Sequence, residues 1–126
     1  MYYDKLKAAE HGRIGEEKVA QFLKSRGYII IKRNWRDKRY GEIDIIAEND
    51  EYIVFVEVKT RAAYSLVSGN EAIDQYKMRR VMNAGIMFFK RLNSKKEVRF
   101  DVAEVTVYTS ESGTERWELK YIKSAF

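Results

Sequence analysis

Residues 41–59 read GEIDIIAENDEYIVFVEVK. Two apolar runs, 43–47 and 53–58, are divided by Asn49 and Asp50, residue types that favour tight turns, so the stretch predicts a β-hairpin. Each run carries an acid in its apolar interior. Asp44 lies inside I-D-I-I-A, Glu57 lies inside V-F-V-E-V, and Lys59 follows two places later. Aspartate is depleted in strands, and an ionised carboxylate is expensive to bury unless something pairs with it. Strand alternation puts Glu42 and Asp44 on one face of the first strand, and Phe55, Glu57 and Lys59 on one face of the second. In a hairpin these faces can coincide and gather Asp44, Glu57 and Lys59 on one side of the sheet. Two converging carboxylates suit a hard cation such as Mg²⁺ or Mn²⁺, and a lysine beside them can hold a hydroxide or steady a phosphate. That is the equipment for metal-assisted cleavage of a phosphodiester. The E-x-K pair by itself is also the pattern of an ordinary same-face ion pair on a solvated sheet. Asp44, embedded among aliphatics, is what makes the site costly rather than merely exposed.

Outward from the hairpin, residues 8–26 predict a helix with Gly27 as its stop and Val19, Ala20 and Leu23 as its apolar stripe, flanked by Phe22. Glu16 falls within that stripe, while Glu17 points the other way, beside Arg13 and Lys24. Glu16 is therefore aimed at the interior, or it sits at the margin of the stripe in a salt bridge or in solvent. Residues 28–31 form a short strand. The basic run KRNWRDKRYG at 32–41 reads as a loop in which Arg33, Arg36, Lys38 and Arg39 suit phosphates, and Trp35 or Tyr40 suits an unpaired base. An ordinary solvated charged loop has the same composition. Beyond the hairpin, Ser68 and Glu71 form a capping box for a helix that runs to Leu92, with Ile73, Val81, Ala84, Phe88 and Leu92 along one side. Val98, Phe100 and Val102 alternate with Arg99 and Asp101, the pattern of a strand with one buried face. Residues 115–123 alternate again through Trp117, Leu119 and Tyr121, as an edge strand. The order α-β-β-β-α-β-β predicts an α/β sandwich with a mixed sheet, because the second helix lets the next strand run parallel to its neighbour.

The bulk numbers fit this picture. A chain of 126 residues with 45% hydrophobic content is long enough for one domain with a real core. A net charge of +5 favours a polyanionic partner such as nucleic acid. The absence of cysteine excludes disulfides, thiolate metal sites and cysteine nucleophiles, and the single His11 excludes a multi-histidine centre. No apolar run approaches the ~18 residues of a membrane span, and the start MYYDKLKAAEHG does not have the form of a signal peptide. A cytoplasmic protein with no membrane association is the expectation.

The stretches GRIGEEKVA at 12–20, GEIDIIA at 41–47, VFVEVKTR at 54–61 and RFDV at 99–102 resemble the YraN-like bacterial proteins. That family has a restriction-endonuclease-like fold within the PD-(D/E)xK nuclease superfamily and is similar to archaeal Holliday-junction resolvases. The resemblance implies an αβββαβ core over residues 10–107, with residues 108–126 as a peripheral edge strand and tail of one domain. It implies that Asp44 and Glu57 bind Mg²⁺ or Mn²⁺, that Lys59 is the catalytic lysine and that Glu16 is the acid of the first helix. A basic residue on the second helix often completes such sites. Lys77 is its match here, though it is equally placed to be a snorkelling surface lysine. Ile43 stands where the superfamily name has proline, which is not a ligand, and Glu42 is a further metal-side or supporting carboxylate, or simply a polar partner near the loop. The implied activity is metal-dependent nuclease action on DNA, including branched or flapped forms, with a homodimer by analogy to resolvases. Its rivals are a nucleic-acid-binding module that does not cut and a structural protein whose buried charges form a salt-bridge network.

Overall fold

The computed structural model describes residues 5–63 and 75–126. Helix α1 spans Lys5–Ser25 and ends in a Schellman arrangement. Gly27 adopts φ 89°, the Tyr28 N–H donates to the Leu23 carbonyl at 3.0 Å, and the Gly27 N–H donates to the Lys24 carbonyl at 3.1 Å. Strands β1 (Ile29–Asp37), β2 (Gly41–Glu48) and β3 (Tyr52–Ala62) follow as an antiparallel meander. The β2–β3 turn is fixed by Asn49, whose Oδ1 accepts the N–H groups of Glu51 at 2.9 Å and Tyr52 at 2.8 Å. Helix α2 (Gln75–Leu92) leads to β4 (Glu97–Thr109), which runs parallel to β3, and β5 (Glu115–Ile122) returns antiparallel at the far edge. The five strands lie in the order β1-β2-β3-β4-β5.

The helices cover opposite faces. Val19, Ala20 and Leu23 of α1 pack on Ile45, Ala47, Val54, Val56, Ala103 and Val105. Val81 and Ala84 of α2 pack on Ile43, Ile46, Ile53, Phe55 and Phe100. Because both faces are covered, the central strands are apolar on both sides, which is why 53–58 reads as a continuous run rather than an alternation. This is the expected mixed α/β sandwich, with β5 added beyond the αβββαβ core. No helix among the described residues is long and apolar enough to cross a membrane.

Three expectations change. The basic run is not a loop: β1 continues through it to Asp37 and pairs Trp35 with Ile43 and Arg36 with Glu42, leaving only a short turn before Gly41. An edge strand accommodates that density of lysine and arginine because its outer side meets water. Arg99 and Asp101 do not face solvent. They occupy the α1 side beside Val54 and Val56, where Arg99 donates to Asp101 and to the Tyr28 hydroxyl, and Tyr121 donates to Asp101 at 2.6 Å. Alternation of polar and apolar residues cannot distinguish a solvated face from a buried, fully paired one. Glu17 takes a partner that its own helix does not supply: it pairs with Arg33 across the helix–sheet interface at 3.0 Å. Leu92, at the C-terminal end of α2, is exposed. Ser68, Glu71 and Ile73 lie outside the described residues.

Candidate active site

The site is built where β2 and β3 part. Their ladder pairs Glu48 with Ile53 through to Ile45 with Val56 and ends there. At the next position the Asp44 side chain takes over, its Oδ2 accepting the Val58 N–H at 2.8 Å. A carboxylate has replaced a backbone carbonyl in the gap between two strands. The facing pattern also breaks at Asp44: Ile45 packs toward α1, while Ile43, two residues away, packs toward α2. Regular alternation would put both on one face. The break is matched on β1, where Asn34, between the pairs Arg33–Ile45 and Trp35–Ile43, has φ 51°. Asparagine tolerates this left-handed conformation better than other residues with a β-carbon.

Glu57 enters from β3. It is 8% exposed and paired with Lys77 of α2, Nζ to Oε1 at 2.8 Å. Asp44 and Glu57 line one cleft on the α2 side with Arg36, Lys38, Tyr76 and Arg80. Burial pushes the Asp44 pKa up to about 7, and the neighbouring Glu57 charge adds to this; Glu16 acts the same way, while the Val58 N–H and Lys77 oppose it. For Lys77, burial works against the charge, but the hydrogen bond and charge of Glu57, with Asp44 and Glu42, outweigh it and raise the pKa. The two carboxylates are thus crowded, and Lys77 is a cation that partly relieves them.

Lys59 lies on the same side as Glu57, in a small adjoining pocket lined also by Lys77, Met78, Val81, Val102 and Phe126. A second cleft opens on the α1 side, where Glu16, Glu42 and Asp44 meet Arg13, Arg33, Asn34, Val58 and Thr60. Glu16 reaches it because α1 lies very close to β3 at Gly15: a β-carbon there would sit 2.2 Å from the Thr60 hydroxyl oxygen. Asn34 donates to Glu16 Oε1 at 2.9 Å, so the kinked strand holds the helix acid in place. Glu42 and Asp44 line both clefts and form the ridge between them.

The structure therefore brings together Glu16, Glu42, Asp44, Glu57, Lys59 and Lys77. The remaining basic candidates are spread along β1 and its turn. Arg33 pairs with Glu17 and lies 3.6 Å from Glu16, and Arg36 bonds Glu42 at 3.2 Å. Lys38 lines the α2-side cleft, and the Arg39 side chain is exposed. Trp35 is packed edge-on against Phe88, with ring centres 5.3 Å apart. Tyr76, Arg80 and Arg13 line the clefts as well. Arg80 was within reach of helical spacing, since it lies one turn beyond Lys77.

A metal fits the donor chemistry in a limited sense. Among the described residues, no group of three or more carboxylate or imidazole side chains forms a ready-made cage. Mg²⁺ does not require one: it is commonly held by one or two carboxylates, with water and substrate phosphates completing its shell. The desolvated, mutually repelling pair Asp44 and Glu57 in an open cleft matches that demand.

A mixed sheet between two helices, with acids placed where its central strands separate, defines an α/β protein with a restriction-endonuclease-like core. Residues 15–105 match the profile of the uncharacterised protein family UPF0102, and the chain belongs to that YraN-like family. It is similar to a UPF0102 protein of Clostridium botulinum (strain 657 / Type Ba4), 42% identical over 117 residues that cover 91% of this chain and 92% of the relative. A UPF0102 protein of Sulfurihydrogenibium sp. (strain YO3AOP1) is 43% identical over 94 residues, covering 74% of this chain and 81% of the relative. The matched span includes Glu16, Asp44, Glu57, Lys59 and Lys77, and leaves out β5.

Proposed function

We propose that the protein is a metal-dependent nuclease that hydrolyses phosphodiester bonds in DNA, with branched or flapped structures as its substrates. The observation that carries this reading is the placement of Asp44 in the opened β2–β3 ladder beside Glu57, with two lysines adjoining them. Asp44 and Glu57 would hold Mg²⁺ or Mn²⁺. The cation would supply Lewis-acid stabilisation of the charge that builds on the phosphate and the leaving oxygen. Lys59 orients the attacking water and offsets negative charge near the phosphate. Glu16 approaches from the opposite cleft and accepts a hydrogen bond from a water there. Lys77, held by Glu57 in the resting protein, is the cation that a bound phosphate would draw away. Arg36 and Lys38 extend the positive surface along the strand that reaches the cleft.

One observation favours a second reading. The Lys77–Glu57 pair neutralises a carboxylate that metal binding needs, as it would in a module that holds nucleic acid without cutting it. Incubation with linear, nicked, flapped and four-way DNA in Mg²⁺ or Mn²⁺ separates the two. The nuclease reading expects product from the wild type and a loss of about 100-fold or more in Glu57→Ala and Lys59→Ala. Binding that persists in both variants, with no product from any protein on any substrate, leaves the binding module standing.

A further inference from the structure

The expectation of a stacking aromatic fell on Trp35 or Tyr40, and both rings are partly engaged by the core, although Tyr40 also lines the α2-side cleft. Trp35 is edge-on to Phe88, and both Trp35 and Tyr40 pack into the α2-side core. A further aromatic, Tyr76, opens more widely into the cleft: it is 66% exposed and lines the same space as Asp44, Glu57 and Lys77. It stands on α2 directly before Lys77, and the Arg80 guanidinium lies 5.9 Å from its ring centre. Arg80 is itself anchored, its Nε donating to the Tyr40 carbonyl at 3.1 Å. The cleft thus sets a largely exposed ring beside an anchored guanidinium, with the Lys77 ammonium lining the same space. It has the composition of a surface that takes a base on its π-face and a phosphate on its cations.

We propose that Tyr76, with Arg80, is a stacking platform for an unpaired nucleotide and selects DNA with single-stranded character over continuous duplex. The inference rests on the nuclease reading and adds the substrate feature that the site recognises. A base inside a duplex has both faces covered by its neighbours and cannot use the ring, whereas an unpaired base beside a junction or flap can. Every base has a π-face, so the platform gives a preference for structure and not for sequence.

The test is equilibrium binding of the full chain to a labelled single strand and to a blunt duplex, in EDTA so that metal-dependent cutting is blocked. Wild type, Tyr76→Phe and Tyr76→Ala are compared. Tyr76→Ala should weaken single-strand binding roughly 5- to 100-fold and leave duplex affinity unchanged, and Tyr76→Phe should keep the wild-type preference. Equal losses on both DNAs, or no loss on either, would overturn the platform while leaving the nuclease reading untouched. A wild-type protein that binds neither DNA at low salt and cuts neither in Mg²⁺ would remove the nuclease reading, and the platform with it.

Discussion

Asp44 is held in a position that disfavours its own charge. Its folded-state pKa is pushed up to about 7 from 3.8 by burial and by the Glu57 and Glu16 charges. Below about pH 4 the carboxyl is protonated in both folded and unfolded chains and contributes no difference. Between about pH 4 and 7 the folded protein keeps the proton while the unfolded chain releases it, so rising pH lowers stability across that window. Above pH 7 the full penalty is present, on the order of 2–4 kcal/mol. Asp44→Asn cannot ionise and keeps an acceptor for the Val58 N–H. In EDTA, the melting temperature of the wild type should therefore fall relative to that of the variant as pH rises from 5 to 8. Mn²⁺ at pH 8 should recover the loss in the wild type and not in Asp44→Asn. Parallel melting curves at all pH values would mean that Asp44 is not desolvated as described. The same cost is what made the residue conspicuous: an aspartate among isoleucines is an expensive choice for a strand interior. Its partner Glu57 was legible for the same reason, as a carboxylate in the most apolar run of the chain.

At the scale of elements, the site depends on how closely α1 approaches β3, and two glycines of α1 separate that effect from helix propensity. A β-carbon at Gly15 would lie 2.2 Å from the Thr60 hydroxyl oxygen, whereas at Gly12 it would meet nothing within 4 Å. Alanine is the better helix former by about 1 kcal/mol, so Gly12→Ala should stabilise the protein by about 0.5–1 kcal/mol in urea titration. At Gly15 the clash outweighs that gain. Gly15→Ala should cost about 1–2 kcal/mol net and lift Glu16 away from Asn34, lowering cleavage as well as stability. Two alanines with the same effect would refute the close approach. The elements also show where sequence stops informing. The β2–β3 hairpin was readable because Asn49 makes its turn locally and the strands beside it are apolar. The start of β1 was readable, but its continuation through the basic run was not, since the lysines and arginines there report the exposure of a sheet edge, and an exposed edge and a loop share one composition. The break in facing at Asp44 and Asn34 was equally hidden, because it arises from three strands adjusting to one another. Tyr76 acquires meaning only once α2 is laid beside the opened hairpin.

Across the whole molecule, the two edges of the sheet carry different charge. Strand β1 and its turn hold Lys32, Arg33, Arg36, Lys38 and Arg39 against Asp37, while β5 balances Arg116 and Lys120 with Glu115 and Glu118. Among the strands, the excess of positive charge therefore lies at the edge that borders the carboxylate clefts, and α2 adds five further cations with no acid. A polyanion approaching along the field is brought to β1 rather than to β5. Neutralising a phosphate releases counterions, so each cation that contacts DNA steepens the fall of log K with log[salt] by about 0.9 for duplex and about 0.7 for single strands. Arg36 and Lys38 both line the α2-side cleft, and the Arg36 side chain is 80% exposed even while bonded to Glu42. The double variant Arg36→Ala/Lys38→Ala should make the salt slope shallower by about 1.5–2, with little change in the discrimination between single strand and duplex, because that discrimination belongs to Tyr76. Lys120→Ala/Lys123→Ala removes the same charge at the other end of the molecule and should leave the slope where it is. If both double variants flatten the slope equally, DNA is responding to net charge alone, and the β1 edge is not the surface that guides it to Asp44 and Glu57.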